Sequence, residues 1–135
     1  MEWIDPVYCS GHWIPEVAEL AGGVDALGRK HQDSQRIEWQ QVLEWQPEVL
    51  VIMPCGFAMD KAMEHAQAAC SYPGWLQLPA VRNNRVYVVD ANSYFARPGP
   101  RLIEGVELLA HLFHPEHFTW HGPADAFCKL DTLVV

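Results

Sequence analysis

The chain has 135 residues, of which half are apolar, and it carries a formal net charge of −8 with only nine lysines and arginines. This length predicts one domain over residues 1–135, and the acidic balance excludes nucleic-acid binding, because phosphate contacts need a basic surface. No apolar run approaches the roughly 20 residues that a membrane-spanning helix needs, and no N-terminal basic and then apolar segment is seen. We therefore expect a soluble cytoplasmic protein that is not embedded in a membrane.

Strand-like runs alternate with helix-like runs along the chain. The clearest strands are residues 49–53 and 85–89, which are continuous aliphatic runs of the kind that is buried on both faces of a parallel sheet. Residues 2–4 and 24–26 are weaker candidates. This alternation predicts a three-layer α/β sandwich with a central, mostly parallel sheet of about four strands.

Helical spacing of apolar residues predicts four helices, at about residues 13–21, 34–45, 57–70 and 100–113. Ser34 should begin the second helix as a side-chain cap, and Pro115 should prevent the last helix from continuing. The apolar residues beyond Pro115 predict that the tail, residues 119–135, is docked on the rest of the domain.

Three turns follow the predicted strands, at residues 5–13, 54–56 and 90–98. Ligands of open parallel sheets bind beyond the carboxyl ends of the strands, so these turns should meet at one edge. They mix aromatic rings with a few polar groups, as small-molecule sites do. Arg97 and Arg101 also flank the N-terminus of the last predicted helix, an arrangement that suits a negatively charged group.

Cysteines and histidines give little indication of a metal site. The four cysteines are irregularly spaced without a CxxC pair, so free thiols are expected. Several histidines crowd near the end of the last helix, but Pro115 separates them and none stands at zinc-site spacing. We expect no metal-ligating residue.

Four stretches of the sequence resemble a known family. In order they are GHWIPEVAELAGG, PEVLVIMPCGF, PGWLQLPAVRNNRVYVVDA and FARPGPRLIEGVELLAHLFHPE, and they resemble the C-terminal lobe of cobalamin-type ABC-transporter substrate-binding proteins. The resemblance covers about residues 2–118, and the Pro-Cys-Gly-Phe and Arg-Pro-Gly-Pro-Arg motifs carry most of it. It implies one lobe of a two-lobed receptor that binds a metal chelate between its lobes without altering it, and therefore a protein that is not an enzyme.

The same resemblance implies which residues face the ligand, a cobalamin-like or other metal-chelate compound. They are Tyr8, His12, Trp13, Cys55, Gly56, Phe57, Tyr94, Phe95 and Arg97. Aromatic faces suit a flat corrin or porphyrin ring, and Arg97 could reach an amide or carboxylate at its edge. Trp13 could equally belong to the core, and Arg97 could equally brace its own turn. No covalently bound cofactor and no catalytic residue is expected.

The sequence departs from the family pattern in two ways. Only one lobe is represented, so the chain is either a natural single-lobe protein or a fragment of a full receptor, which would then be periplasmic or otherwise extracytoplasmic. The Trp-Glu pair near the start of the second helix, through which such receptors dock on a permease, is Trp39-Gln40 here, with Glu38 and Glu44 the nearest acids. This change argues against permease docking by the usual contact.

Two other functions remain open from the sequence. The surface that the second lobe and the spanning helix would otherwise cover could form a homodimer or another assembly interface, with Trp3, Trp13, Trp75 and Phe95 as its exposed aromatic residues. Alternatively, Cys55 at a strand-to-helix turn could be the nucleophile of a cysteine-dependent enzyme. The binding module is the leading interpretation.

Overall fold

The computed structural model describes residues 1–96 and 99–130, in which strands and helices alternate as an α/β fold. The strands are β1 (Gly11–His12), β2 (Arg29–Lys30), β3 (Leu50–Ile52), β4 (Val86–Val89) and β5 (Phe127–Lys129). The helices are α1 (Ile14–Leu20), α2 (Trp39–Trp45), α3 (Met59–Gln67), α4 (Pro79–Arg82), α5 (Ala91–Tyr94) and α6 (Arg101–Phe113). None of the helices within these two ranges is long and apolar enough to cross a lipid bilayer.

The strands form two small sheets instead of the expected central sheet of about four strands. β1 pairs with β2 in a parallel sheet of two strands, whereas β3, β4 and β5 form a sheet with β4 in the middle. β3 runs parallel to β4, with Leu50 beside Val86. β5 runs antiparallel to β4, with Phe127 beside Val89, so part of the predicted tail completes this sheet.

The two weaker strand predictions are wrong in position. Around residues 2–4 only Trp3 forms an isolated bridge, to Tyr8. Val24 is 75% exposed, and the side chain of Asp25 accepts hydrogen bonds from the Gly28 N–H and the Ser10 hydroxyl. Those bonds hold this segment in a turn, and the strand forms after it, at β2.

The second helix begins later than the Ser34 signal predicts. The residues after Ser34 run alongside the first turn, where the Ile37 N–H donates to the Val7 carbonyl. α2 starts only after Glu38, which forms a capping box with Gln41: each side chain accepts a hydrogen bond from the other residue's backbone N–H. The capping box satisfies the backbone N–H groups of Glu38 and Gln41, and pairing with the first turn holds the preceding residues extended.

Helices cover both faces of the β3–β4–β5 sheet. One core cluster contains Val86 and Val88 of β4 together with residues of α3 and the fully buried Trp75. The other contains Tyr87 and Val89 and packs them against α1 and α6. Trp75 is only 2% exposed, so the expectation that it belongs to an exposed aromatic surface is wrong.

Candidate ligand-binding site

The second and third turns are joined by hydrogen bonds beyond the carboxyl ends of β3 and β4. The Gly56 N–H donates to Oδ1 of Asn92 over 2.9 Å, and Nδ2 of Asn92 donates to the Phe57 carbonyl over 3.5 Å. Both turns lie at this edge because the two strands are parallel. Asn92 holds the second turn in position. It was not predicted from the sequence, because its hydrogen-bond partners lie far away in the chain and no local pattern indicates them.

The first turn is joined to the third by a tryptophan side chain. Nε1 of Trp13 donates to the Phe95 carbonyl over 2.9 Å. The ring of the half-exposed His12 lies 5.4 Å from the Trp13 ring, measured between centroids. The three turns therefore form one continuous surface, which we call the rim and define as residues 8–13, 55–57 and 92–96.

A depression of about 410 Å³ opens beside the rim. Its lining residues are Glu2, Trp3, Pro6, Tyr8, Ser34 and Cys55. Tyr8 and Cys55 were predicted as ligand contacts, but the other four were not. Glu2 and Trp3 were assigned to a strand, and their place beyond the end of β3 follows from the hydrogen bonds of Met1 to Val51 and Met53, which have no local sequence signal.

Trp3, which lines this depression, packs against two further rings. The ring centroid of Trp3 lies 5.1 Å from that of Phe57 and 4.3 Å from that of His65. Nε2 of His65 accepts a hydrogen bond from the Ile4 N–H over 3.1 Å, and burial lowers the pKa of His65. The imidazole is therefore held neutral, as a packing partner for Trp3.

The depression contains one carboxyl group with an unsatisfied oxygen. Oε2 of Glu2 is buried and has no hydrogen-bond partner within residues 1–96 and 99–130, and burial raises the pKa of this carboxyl. Partial loss of hydration and, secondly, the charge of Glu2 raise the pKa of the nearby Cys55 thiol. A ligand that donates a hydrogen bond to Glu2 would satisfy this oxygen.

Two rim residues have a left-handed backbone. Gly56 has φ +85°, a conformation that glycine adopts without steric cost, and no heavy atom beyond its two chain neighbours lies within 4 Å of where its Cβ would be. His12 has φ 55°, although it is not glycine. Its conformation is fixed from both sides, because its N–H donates to the Gln32 carbonyl and its carbonyl accepts from the His31 N–H.

The side chains of Tyr94 and Phe95 are not exposed at the rim, contrary to the expectation that they face the ligand. Their exposed fractions are only 4% and 3%. Tyr94 packs edge-on against Trp120, and Phe95 contacts α6 at Gly105, where the absence of a side chain lets the ring approach closely. Both rings thus support the rim from below, and Phe95 cannot be part of an exposed aromatic interface. Arg97 lies outside the described residues.

The described ranges contain no metal centre. Within residues 1–96 and 99–130, no three histidine, cysteine or acidic side chains are grouped so that they could hold a metal ion. The four cysteines are free thiols, and Cys55 is the exposed one. The rim and the depression beside it can therefore offer ring faces, backbone groups and the Glu2 carboxyl to a ligand.

An α/β sheet that gathers aromatic and polar groups beyond its parallel strands defines a class of small-molecule binding domain. The sequence model of one such family, described as Periplasmic binding protein, matches residues 3–93. The chain belongs to this family of periplasmic binding proteins, which confirms the resemblance to ABC-transporter substrate-binding proteins.

Individual relatives agree with this assignment. The chain is 31% identical over 98 residues to the Vitamin B12-binding protein of Vibrio cholerae, a match that covers 72% of this chain and 32% of the relative. It is 47% identical over 53 residues to the ABC transporter substrate-binding lipoprotein YvrC of Bacillus subtilis, covering 39% of this chain and 17% of that one. The TroA-like periplasmic binding protein FepB from Veillonella parvula superposes with a TM-score of 0.59 at 25% identity, over 80% of this chain and 34% of that one.

The matches thus span about a third or less of each of these relatives. Substrate-binding proteins of ABC transporters are not enzymes, so the family assignment contradicts the cysteine-enzyme hypothesis. The raised pKa of the Cys55 thiol agrees, because a nucleophilic cysteine needs a lowered pKa.

Proposed function

We propose that the rim and the depression beside it bind a cobalamin-like or other metal-chelate compound and leave it chemically unchanged. The observation that carries this proposal is the bonding of three turns to one another around a depression of about 410 Å³ that offers both ring faces and polar groups. The names of the relatives supply the ligand class, since one is a Vitamin B12-binding protein.

The proposed contacts divide into apolar and polar ones. Trp3, Tyr8 and Phe57 present aromatic surface to a flat macrocycle, with Trp13 and His12 beside them. The free oxygen of Glu2 accepts a hydrogen bond from an amide N–H at the edge of that macrocycle. Cys55 and Gly56 are exposed and give the ligand access to the turn. Arg97 remains a proposed contact from the sequence.

One lobe covers a ligand on one side only, so we expect weak binding by this chain alone. The proposal extends to a role as one lobe of a two-lobed, extracytoplasmic receptor that delivers its ligand to an ABC transporter. Glu44 is the exposed acid nearest to Gln40 on α2, with Nε2 of Gln40 and Oε1 of Glu44 3.5 Å apart. Glu38 is engaged in the cap of α2, which leaves Glu44 as the acid for permease docking.

The direct test is a titration of the chain with cyanocobalamin and, separately, with haem, followed by ligand absorbance and tryptophan quenching. We expect saturable binding of at least one of them. The variant Cys55→Trp places a large ring over the depression at an exposed position and should abolish binding. Phe118→Ala removes a half-exposed ring beyond the C-terminal end of α6 and should bind as the parent does.

Binding that Cys55→Trp leaves unchanged would contradict the proposed site. No spectral change with either compound at high micromolar concentration would contradict the proposed ligand class. Sedimentation with and without cyanocobalamin tests the alternative expected from the sequence, assembly of two copies through this surface.

A further inference from the structure

Half of the residues that line the depression come from one short segment, residues 2–6. They are Glu2, Trp3 and Pro6. Within the described part of the chain this segment forms no regular strand, and Trp3 makes an isolated bridge to Tyr8. Its buried backbone groups therefore need partners other than a sheet.

Two side chains hold this segment by its middle residue. Ile4 is fully buried, and its N–H donates to Nε2 of His65 on α3 over 3.1 Å. Its carbonyl accepts a hydrogen bond from the hydroxyl of Tyr72, which lies shortly beyond the end of α3. Both backbone polar groups of Ile4 thus depend on side chains, and the loss of either partner leaves a buried group unsatisfied. We call this arrangement of Ile4, His65 and Tyr72 the Ile4 clamp.

The Ile4 clamp also contacts the depression through an aromatic ring. The His65 ring centroid lies 4.3 Å from that of Trp3 and 5.6 Å from that of Phe57. Trp3 is therefore fixed twice, by the backbone of the residue that follows it and by the imidazole on which its ring packs. Because Trp3 lines the depression, the position of His65 determines the shape of the surface offered to a ligand.

The Tyr72 half of the clamp is held in place by α2. The Trp39 ring stacks on Tyr72 with their centroids 4.8 Å apart, and Nε1 of Trp39 donates to the Pro73 carbonyl over 2.7 Å. Burial raises the pKa of Tyr72, so its hydroxyl keeps the proton that it donates to Ile4. This half of the clamp is therefore insensitive to pH in the neutral and mildly acidic range.

The His65 half holds Ile4 only with a neutral imidazole. Because Nε2 accepts a hydrogen bond, the proton of the neutral ring is on Nδ1. Protonation adds an N–H at Nε2, which then faces the Ile4 N–H, and the bond is lost. Burial lowers the pKa of His65 below its ordinary value of 6.5, and the charge of Asp5 opposes this effect. The clamp is therefore complete above about pH 6.5 and opens as the pH falls through the lowered pKa.

Four charged side chains lie around the clamp or on the same helix. They are Asp5, Arg36, Lys61 and Glu64. Asp5 is exposed, and its charge favours the protonated ring, so it helps the clamp to open in acid. Arg36 opposes the rise of the Tyr72 pKa. Lys61 and Glu64 are exposed on α3 and have opposite charges.

We propose that His65 and Tyr72 are positioning residues of the ligand site: through Ile4 they hold Trp3 and Glu2 in the geometry that binds the ligand, and protonation of His65 opens the clamp and weakens binding. The proposal rests on the proposed function for its ligand, although the clamp itself can be tested in the free chain. If the ligand binds only the closed form, its apparent Kd rises towards about tenfold for each pH unit below the pKa of His65.

The first experiment measures the Kd of cyanocobalamin at pH 7.5 and 5.0 for the parent chain and for His65→Gln. The glutamine amide offers an acceptor in place of Nε2 and does not titrate, so this variant should bind within about threefold of the parent at pH 7.5. On going to pH 5.0 the parent should weaken at least about threefold more than the variant does. Glu2 and the other histidines are present in both proteins, so their contribution to the pH dependence is the same.

Two further variants remove one partner of Ile4 each. His65→Leu removes the acceptor and Tyr72→Phe removes the donor, and each should weaken binding at least about fivefold at pH 7.5. The matched controls are His121→Gln, at an exposed position, and Tyr87→Phe, in the other core cluster. Both controls should bind as the parent does. Recovery of binding in His65→Gln but not in His65→Leu distinguishes positioning through the hydrogen bond from a loss of packing.

The second experiment needs no ligand. Nuclear magnetic resonance follows the ring signals of His65 and the indole N–H of Trp3 as the pH is lowered from 8.0 to 4.5. We expect the Trp3 signal to move with the same midpoint as His65, and this movement should be absent in His65→Gln. If cyanocobalamin does not bind but the two signals move together, the proposed ligand is wrong and the clamp stands. A Trp3 signal that does not follow His65, or binding with the same pH dependence in the parent and His65→Gln, would overturn the proposal.

Discussion

β4 and the rim are neighbours in the fold, but different forces hold them in place. All four residues of β4 are buried, and the strand is paired on both sides. The rim depends instead on a few individual hydrogen bonds, those of Trp13 and Asn92, and on the left-handed residues His12 and Gly56. We therefore expect substitutions in β4 to lower the stability of the fold most. Substitutions at the rim should change ligand binding and lower the stability of the fold less.

The largest expected effect comes from shortening a side chain in β4. Val88→Ala removes two methyl groups from a residue that is 0% exposed and should lower the free energy of unfolding by about 2 to 3 kcal/mol. The same change at the half-buried Val51 of β3 should cost less than about 1 kcal/mol. Urea denaturation of the two variants measures both, and equal losses would contradict the contrast between the strands.

A smaller effect is expected where α6 meets the rim. A Cβ at Gly105 would lie 2.8 Å from Cε1 of Phe95 and 3.0 Å from the Tyr94 carbonyl oxygen. Gly105→Ala should therefore destabilise the fold by about 2 kcal/mol through overpacking, although alanine is the better helix former. It should also weaken the bond from Trp13 to the Phe95 carbonyl. A rise in the urea midpoint would show that Phe95 moves aside without cost.

Two substitutions of His12 separate backbone strain from the contribution of its ring. Both His12→Gly and His12→Ala remove the imidazole, but only glycine relieves the left-handed conformation at φ 55°. The glycine variant should be more stable than the alanine variant by about 1 kcal/mol, as measured by thermal unfolding. Equal stability of the two would show that His12 carries no strain in solution.

The smallest effect is a pH dependence due to His65. Burial lowers its pKa in the folded chain below the ordinary value of 6.5, so the unfolded chain binds the proton first as the pH falls. Stability from this group is present above about pH 6.5 and is lost below it. Urea midpoints at pH 7.5 and 5.5 should differ less in His65→Gln than in the parent, and the exposed control His121→Gln should behave as the parent does.

The buried strands could be predicted from the sequence because their signal is local. Residues 49–53 and 85–89 are apolar without interruption, and β3 and β4 lie within them. Val24 gave a similar but weaker signal, although its side chain is exposed. β5 pairs with β4 across a long chain separation, and nothing local distinguishes it from the irregular tail.

The site could be predicted only in part, for the same reason. The positions of the turns follow from the ends of parallel strands, which brought Tyr8, Trp13 and Cys55 into the prediction. The burial of Tyr94 and Phe95 depends on the close approach of α6 at Gly105, which involves packing between distant parts of the chain. Glu2 and Asn92 were missed because their roles arise from tertiary contacts.

The most direct test of the account is a map of amide chemical shifts during titration of the isotope-labelled chain with cyanocobalamin. We predict that the shifts concentrate on the N–H of Gly56, the indole N–H of Trp13 and the backbone amides of Tyr8 and Glu2. Shifts confined to residues far from the rim, or none at saturating ligand, would contradict the claim that the rim is the ligand-binding site.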